Sequence, residues 1–188
     1  MLINRLTSLE DNELNLFSRE KLLSLEEETL KSCLDVAIAD LDERTSLDKD
    51  MCILKSSRVF YDFKNEINSF LDLDICIASK SSLEPNYICD VWLKYSSKPI
   101  VLIDVFSQNN KDVDQQFRTE VYKKLGIEEL FYYDFWGDYI NPVLQGFRLI
   151  EGDYRQIDSF TNPKQELWLF SNLLNLELRL FDGELRFL

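Results

Sequence analysis

The sequence contains no histidine among its 188 residues. This absence excludes a Ser-His-Asp triad, a Cys-His dyad, HNH-type nuclease chemistry and any zinc site that requires imidazole. Glycine is also scarce, with 5 residues, and no glycine-rich phosphate loop occurs. Rossmann and P-loop nucleotide sites are therefore excluded. The side chains that remain for chemistry are carboxylates, lysine, arginine, tyrosine and serine.

The chain also lacks paired cysteines and long apolar runs. Cys33, Cys52, Cys76 and Cys89 have no C-x-x-C spacing, so we expect buried free thiols. No apolar run approaches the roughly 18 to 20 residues of a membrane span, and the chain turns acidic before an apolar signal segment can form. We expect one cytoplasmic domain with no membrane partner, and the hydrophobic content of 45% fits a folded protein.

The chain has fewer basic residues than acidic ones. The chain has 34 acidic and 21 basic residues, a net charge of −13. Nucleic-acid affinity comes mostly from Lys and Arg that displace counterions, so this balance counts against a nuclease. A local basic cluster of Lys111, Arg118, Lys123 and Lys124 partly offsets the acidic balance.

Two aspartates stand inside apolar segments that the pattern predicts to be strands. Asp104 interrupts the run from Ile100 to Phe106, and Asp74 lies within Leu71 to Ser79. An ionised carboxylate there is costly unless a cation, a hydrogen-bond donor or a metal compensates it. If the two acids converge, a hard divalent cation would relieve a repulsion of about 4 kcal/mol, for charges about 4 Å apart at an effective dielectric constant of about 20.

The segment after Asp104 predicts an amphipathic helix from Asp112 to Leu125. Asp114, Arg118 and Tyr122 recur every four residues and share one face, so Arg118 is expected to reach back toward the sheet. The neighbouring face should pack inward and contains Phe117, Val121 and Leu125. Arg118 is thus one candidate to neutralise the buried aspartates without any metal.

The remaining pattern predicts an α/β fold with a mixed β-sheet flanked by helices. Residues 1–45 are expected to form a helical lead, in which a helix starts at Ser24 and ends near Glu43. Strands are expected at Met51 to Leu54, Val59 to Phe63 and Glu129 to Phe135. Hairpin turns are expected at Gly152-Asp153 and Asp182-Gly183, the second forming a C-terminal β-hairpin.

The order and spacing of these motifs resemble those of the Uma2-like (DUF820) family, which has the PD-(D/E)XK restriction-endonuclease-like fold. The resemblance rests on Asp74, on Asp104 to Ser107, on the helix with Asp114, Arg118 and Tyr122, and on Gly126 to Leu130. Three positions depart from the family pattern. Leu73 stands in place of Pro, Asp104 in place of Glu, and Arg118 in place of the catalytic Lys.

The resemblance implies a metal-dependent endonuclease that hydrolyses DNA phosphodiesters. Asp74 and Asp104 would hold Mg²⁺ or Mn²⁺, Arg118 would donate hydrogen bonds to the scissile phosphate, and Ser107, Asp114 and Tyr122 would support the site. Arginine stays protonated, so it cannot serve as a base. The alternative is a degenerate family member that acts as a binding or regulatory module, with homodimerisation through the C-terminal hairpin. Both functions remain open at this stage.

Overall fold

The computed structural model describes residues 24–44, 50–63, 66–80, 88–89, 97–106, 115–164 and 166–188. The chain divides into two compact units, Met1–Val36 and Ala37–Leu188. In the first unit, residues 24–36 are helical. The second unit begins with helical residues 37–44 and contains every described strand. Residues 24–44 are α1, and the prediction of a helix from Ser24 to about Glu43 is confirmed.

The second unit is a mixed α/β structure built on a seven-stranded sheet. Its strands are β1 (Met51–Phe63), β2 (Glu66–Lys80), β3 (Ile88–Cys89), β4 (Ser97–Phe106), β5 (Glu129–Asp134), β6 (Leu144–Ile150) and β7 (Asp153–Gln156). The order is β3-β1-β2-β4-β5-β6-β7. Only β4 and β5 are parallel among the described strand pairs, and α2 (Gln115–Leu125) makes the crossover between them.

A smaller, four-stranded sheet completes the unit. It consists of β8 (Ser159–Thr161), β9 (Leu167–Ser171), β10 (Leu176–Phe181) and β11 (Glu184–Phe187), in the order β11-β10-β9-β8. The hairpin of β10 and β11 turns at Asp182 and Gly183, which have φ values of 50° and 85°. This turn confirms the predicted C-terminal hairpin.

The central strand β5 is buried along its whole length because both faces of the sheet are covered there. Leu130 and Tyr132 face α2 and pack in a core with Val121 and Leu125 of the helix. Tyr133 points to the other face, where its hydroxyl donates to the carbonyl of Gly183 at 2.5 Å. The helix thus lies on one face, and the four-stranded sheet contacts the other.

The inward face of α2 is the predicted one. Val121 and Leu125 are buried, and Phe117 is partly buried against the same core. The helix is described only from Gln115, so its predicted start at Asp112 lies outside the described residues. In the part of the chain that is described, no helix is long and apolar enough to cross a membrane.

Two sequence predictions need correction. β1 is one continuous strand, whereas two strands were predicted. Its polar middle pairs with β2, and the exposed side chain of Arg58 there forms an ion pair with Asp72. The turn between β6 and β7 is formed by Glu151 and Gly152, not by Gly152-Asp153. Both turn residues have positive φ, 53° and 86°, as a two-residue hairpin turn requires.

Candidate functional site

The candidate site is built around Asp104, near the carboxyl end of β4. Asp104 is only 4% exposed. Arg118 of α2 donates from Nε to Oδ2 at 3.0 Å and from its terminal nitrogen to Oδ1 at 2.6 Å. Tyr122, one helical turn later, donates its hydroxyl to Oδ2 at 2.9 Å. The predicted face of Arg118 and Tyr122 therefore meets Asp104, as the four-residue spacing indicated.

These contacts satisfy a charge that would otherwise be costly to bury. The side chains of Arg118 and Asp104 are 11% and 5% exposed, so water contributes little to either charge. Arg118 also lies over the ring of Tyr122, 5.6 Å from its centroid. Burial by itself lowers the pKa of Arg118, but the charge and hydrogen bonds of Asp104, together with the charges of Tyr122 and Asp74, outweigh burial and raise the pKa above its usual value. The guanidinium therefore stays charged.

Asp74 lies beside Asp104 on the neighbouring strand β2. The antiparallel register pairs Ile75 with Ile103, so the next position along each strand brings Asp74 opposite Asp104. The Oδ2 atom of Asp74 accepts a hydrogen bond from the amide of Val105 at 2.8 Å. Burial, and secondly the charge of Asp104, raise the pKa of Asp74 to about 7. Near neutral pH, Asp74 is thus divided between its protonated and ionised forms.

The result is a nearly charge-balanced group. The carboxylate of Asp104 is opposed by the guanidinium of Arg118, and the charge of Asp74 depends on pH. A half-buried carboxyl with a pKa near 7 can exchange a proton at neutral pH. Arg118 cannot do so, and can act only as a donor to an anion or as a fixed counter-charge.

Asp74 and Asp104 are also the residues that could hold a divalent ion. Their fit to one is poor in this arrangement, because Arg118 takes both carboxylate oxygens of Asp104 and leaves few lone pairs for a metal. Within the described ranges, no group of three or more Asp, Glu or Cys side chains is placed to bind a metal. The predicted supporting residues Ser107 and Asp114 lie outside those ranges.

Sequence reasoning missed Tyr132 and Thr119, which border the site. Tyr132 pairs with Asp104 in the parallel register of β4 and β5. Its hydroxyl is 2.7 Å from that of Thr119, which also donates to the carbonyl of Gln115. Burial raises the pKa of Tyr132 to about 12, so the phenol stays protonated. Only the pairing of β4 with β5 reveals this neighbour, and the residue spacing alone does not predict that pairing.

A second buried acid, Glu129, was also missed. It is fully buried and accepts two hydrogen bonds from Arg148, at 2.9 and 2.7 Å, and one from the Ser171 hydroxyl at 2.5 Å. The backbone amide of Asn172 donates to it as well. Glu129 lies on the opposite face from Asp104 and joins β5 to the four-stranded sheet. The signal that selected Asp104, a carboxylate in an apolar strand, could have found it.

Comparisons with known proteins assign no family. No family model matches the chain, and no curated protein matches it.

Proposed function

We propose that this chain is a catalytically degenerate protein on a restriction-endonuclease-like fold, acting as a binding or regulatory module. One observation carries the proposal: the guanidinium of Arg118 lies on both carboxylate oxygens of Asp104. In the Uma2-like pattern that the sequence resembles, the corresponding positions are a metal-binding Glu and a catalytic Lys. Here the two side chains bind each other.

The chemistry of the pair explains why this arrangement opposes catalysis. Two charge-assisted hydrogen bonds in a fork are the strongest contact that a carboxylate makes with a side chain. A divalent ion at Asp104 would have to displace that fork or lie against a fixed positive charge. Because Arg118 cannot lose its proton, it cannot replace lysine as a group that activates water. The net charge of −13 adds repulsion from a phosphate backbone.

A second candidate is the metal-dependent endonuclease acting on DNA. The observation in its favour is that Asp74 and Asp104 occupy facing positions on β2 and β4, and that burial, and secondly their mutual repulsion, raise the pKa of Asp74. Mg²⁺ or Mn²⁺ held by the two acids would relieve that repulsion. This function requires Arg118 to leave Asp104 and turn toward the substrate phosphate.

One experiment separates the two functions. Cleavage of single-stranded and duplex DNA is measured in Mg²⁺ and in Mn²⁺ for the wild-type chain and for Asp104→Asn. We expect no cleavage by either protein, in an assay that detects activity about a thousandfold below that of an active nuclease, since losing one ligand or donor costs a factor of roughly 10² to 10³. Wild-type cleavage that Asp104→Asn abolishes would overturn the proposal and establish the endonuclease.

Metal binding gives a matched test of the role of Arg118. Removing the guanidinium in Arg118→Ala leaves Asp74 and Asp104 side by side without a counter-charge. We expect Mn²⁺ to raise the melting temperature of Arg118→Ala and to leave that of the wild type unchanged, because ligand binding stabilises a fold in proportion to its affinity. Arg118→Ala combined with Asp104→Asn is the control and should lose the response. A wild-type response as large as that of Arg118→Ala would refute the claim that Arg118 blocks the ion.

Homodimerisation through the C-terminal hairpin stays a prediction. Arg186 of β11 forms an ion pair with Asp40 of α1, so part of that hairpin is already engaged within the chain. Strand β8, at the other edge of the small sheet, is exposed along its length. Light scattering of the wild type measures whether a dimer forms, and Phe160→Lys on β8 should leave a dimer through the hairpin intact but break one that uses the edge of β8.

A further inference from the structure

A cavity of about 430 Å³ opens between α2 and strands β5, β6 and β7, next to the Asp104 group. Its volume lies in the range of about 300 to 1,000 Å³ that small-molecule sites occupy. Thr119 and Tyr132, which border Asp104, also line this cavity. The cavity is distinct from the acid pair, because neither Asp74 nor Asp104 is part of its lining.

Aromatic rings form much of the cavity wall. Tyr132 and Phe147 meet edge to face, with centroids 5.8 Å apart. Tyr154 contributes a third ring, and its hydroxyl is held by the carbonyl of Ile127 at 2.9 Å. Flat molecules bind to such walls by stacking or by edge-to-face contacts. The wall therefore favours a ligand that contains a flat ring.

The charged residues of the lining favour an anion. Among the described residues of the lining, Lys123 and Arg155 are cations and Asp153 is the one acid, whereas the whole chain has a net charge of −13. Lys123 is shared between Glu120 at 2.9 Å and Asp153 at 3.2 Å. The Asp153 side chain is 70% exposed, so its contact with Lys123 is weak and an incoming anion can replace it.

Hydrogen-bond donors in the cavity keep their protons. Burial raises the pKa values of Tyr132 and Tyr154 above the ordinary phenol range, so both hydroxyls remain neutral at physiological pH. The Thr119 hydroxyl is within hydrogen-bond distance of Tyr132. The Tyr154 proton is donated to the Ile127 carbonyl and the Thr119 proton to the Gln115 carbonyl, so these hydroxyls can serve a ligand as acceptors, which suits a ring that bears N–H or amino groups.

We propose that this cavity binds a small molecule composed of a flat ring and an anionic group, either a phosphate or a carboxylate. The ring packs among Tyr132, Phe147 and Tyr154, and the anion meets Lys123 and Arg155 at the mouth. This deepens the proposed function, since it names the class of ligand that the binding module takes. This inference depends on the proposed function only for the biological role of the ligand, because the cavity lining includes neither Asp74 nor Asp104.

The test is calorimetric titration of the full chain with defined probes in the presence of EDTA. The probes are the four nucleoside 5′-monophosphates and indole-3-acetate, which separate a phosphate from a carboxylate anion, together with adenosine and inorganic phosphate as half-ligands. We expect at least one probe with both a ring and an anion to bind at least about tenfold more tightly than either half-ligand. No probe binding with a Kd below about 1 mM would overturn the proposal.

Variants locate the binding in the cavity. Arg155→Glu reverses an exposed charge at the mouth, and Phe147→Leu removes a ring while keeping an apolar side chain. Each should weaken binding about tenfold or more, which corresponds to about 1.4 kcal/mol. Lys164→Glu, a charge reversal at an exposed turn that does not line the cavity, is the control and should leave Kd unchanged. Binding that both cavity variants leave within threefold of the wild type refutes the site.

The two proposals fail in distinguishable ways. DNA cleavage by the wild type would overturn the non-catalytic function without touching the cavity, because the titration contains no free divalent ion. Loss of probe binding in Arg155→Glu with unchanged binding in Asp104→Asn supports the cavity as a separate site. Binding lost in Asp104→Asn but retained in Arg155→Glu would overturn it.

Discussion

Replacing Arg118 with methionine tests whether this residue neutralises a buried charge. Methionine keeps an unbranched apolar chain of similar reach but removes the guanidinium. Asp104 would then lose its ion-pair partner and keep the hydroxyl of Tyr122 as a donor, in a position where its side chain is 5% exposed. Removing one partner of such a buried pair typically costs about 3 to 5 kcal/mol, because an uncompensated charge stays in the interior.

The chain offers a matched control in Arg58. This arginine forms the same fork, with Asp72, at 2.7 and 3.2 Å. The side chains of Arg58 and Asp72 are 45% and 58% exposed, so solvent screens the pair. We expect Arg58→Met to lower the free energy of unfolding by less than about 1 kcal/mol. The two substitutions are alike in residue type and fork geometry and differ mainly in burial.

Urea unfolding at pH 8, where carboxylates are ionised, measures both variants. We expect Arg118→Met to lower the free energy of unfolding by much more than Arg58→Met does. Adding Asp104→Asn to Arg118→Met should recover more than half of the loss, because the unpaired charge is then gone. If Arg118→Met lowers the free energy of unfolding no more than Arg58→Met does, Arg118 does not neutralise a buried charge. The fork of Arg118 on Asp104 would then no longer support the proposed function.

Two further predictions concern Asp74 and Glu129. Asp74 has a pKa of about 7 in the fold and about 3.9 when unfolded, so its favourable contribution is greatest below about pH 4 and is lost as the pH rises through about 7. Asp74→Asn should therefore stabilise the protein by about 1 kcal/mol or more at pH 8 and change it little at pH 4, as measured by urea unfolding; equal effects at both pH values would contradict the assigned pKa. Glu129→Ala should lower the free energy of unfolding by about 3 to 5 kcal/mol, because it leaves Arg148 and Ser171 without their acceptor. A melting temperature within about 2 °C of the wild type would show that the fold does not depend on this network.

Local periodicity predicted the parts of the site that lie within one helix and one strand. The four-residue spacing of Arg118 and Tyr122 fixed the helical face that they share. The cost of burying Asp104 required a partner within reach, and the crossover of α2 from β4 to β5 brings that face back over β4. The spacing of apolar residues likewise predicted that Val121 and Leu125 face the core.

The rest depended on pairings between distant segments. Tyr132 became a neighbour of Asp104 through the parallel register of β4 and β5. Glu129 and Ser171, 42 residues apart, meet because the four-stranded sheet contacts the larger one. Strand register is set by turns and by the hydrophobic pattern of both partners, so no single segment encodes it. The sequence consequently predicted Asp104 and its partner Arg118, but it did not predict Tyr132 or the contacts of Glu129.

The two buried acids that arginine neutralises, one on each face of the sheet, give a comparison within one molecule. Glu129 has Arg148, Ser171 and a backbone amide as donors, and these contacts explain its burial without any catalytic role. Asp104 is satisfied in the same way by Arg118 and Tyr122, so its burial alone is no evidence for catalysis. The difference is Asp74, a second acid placed opposite Asp104 that must share the charge of Arg118 with it. A purely structural pair does not need this second acid, so an Asp74→Asn variant that is more stable at pH 8 and still binds a cavity probe would show that Asp74 serves neither the stability of the fold nor the cavity.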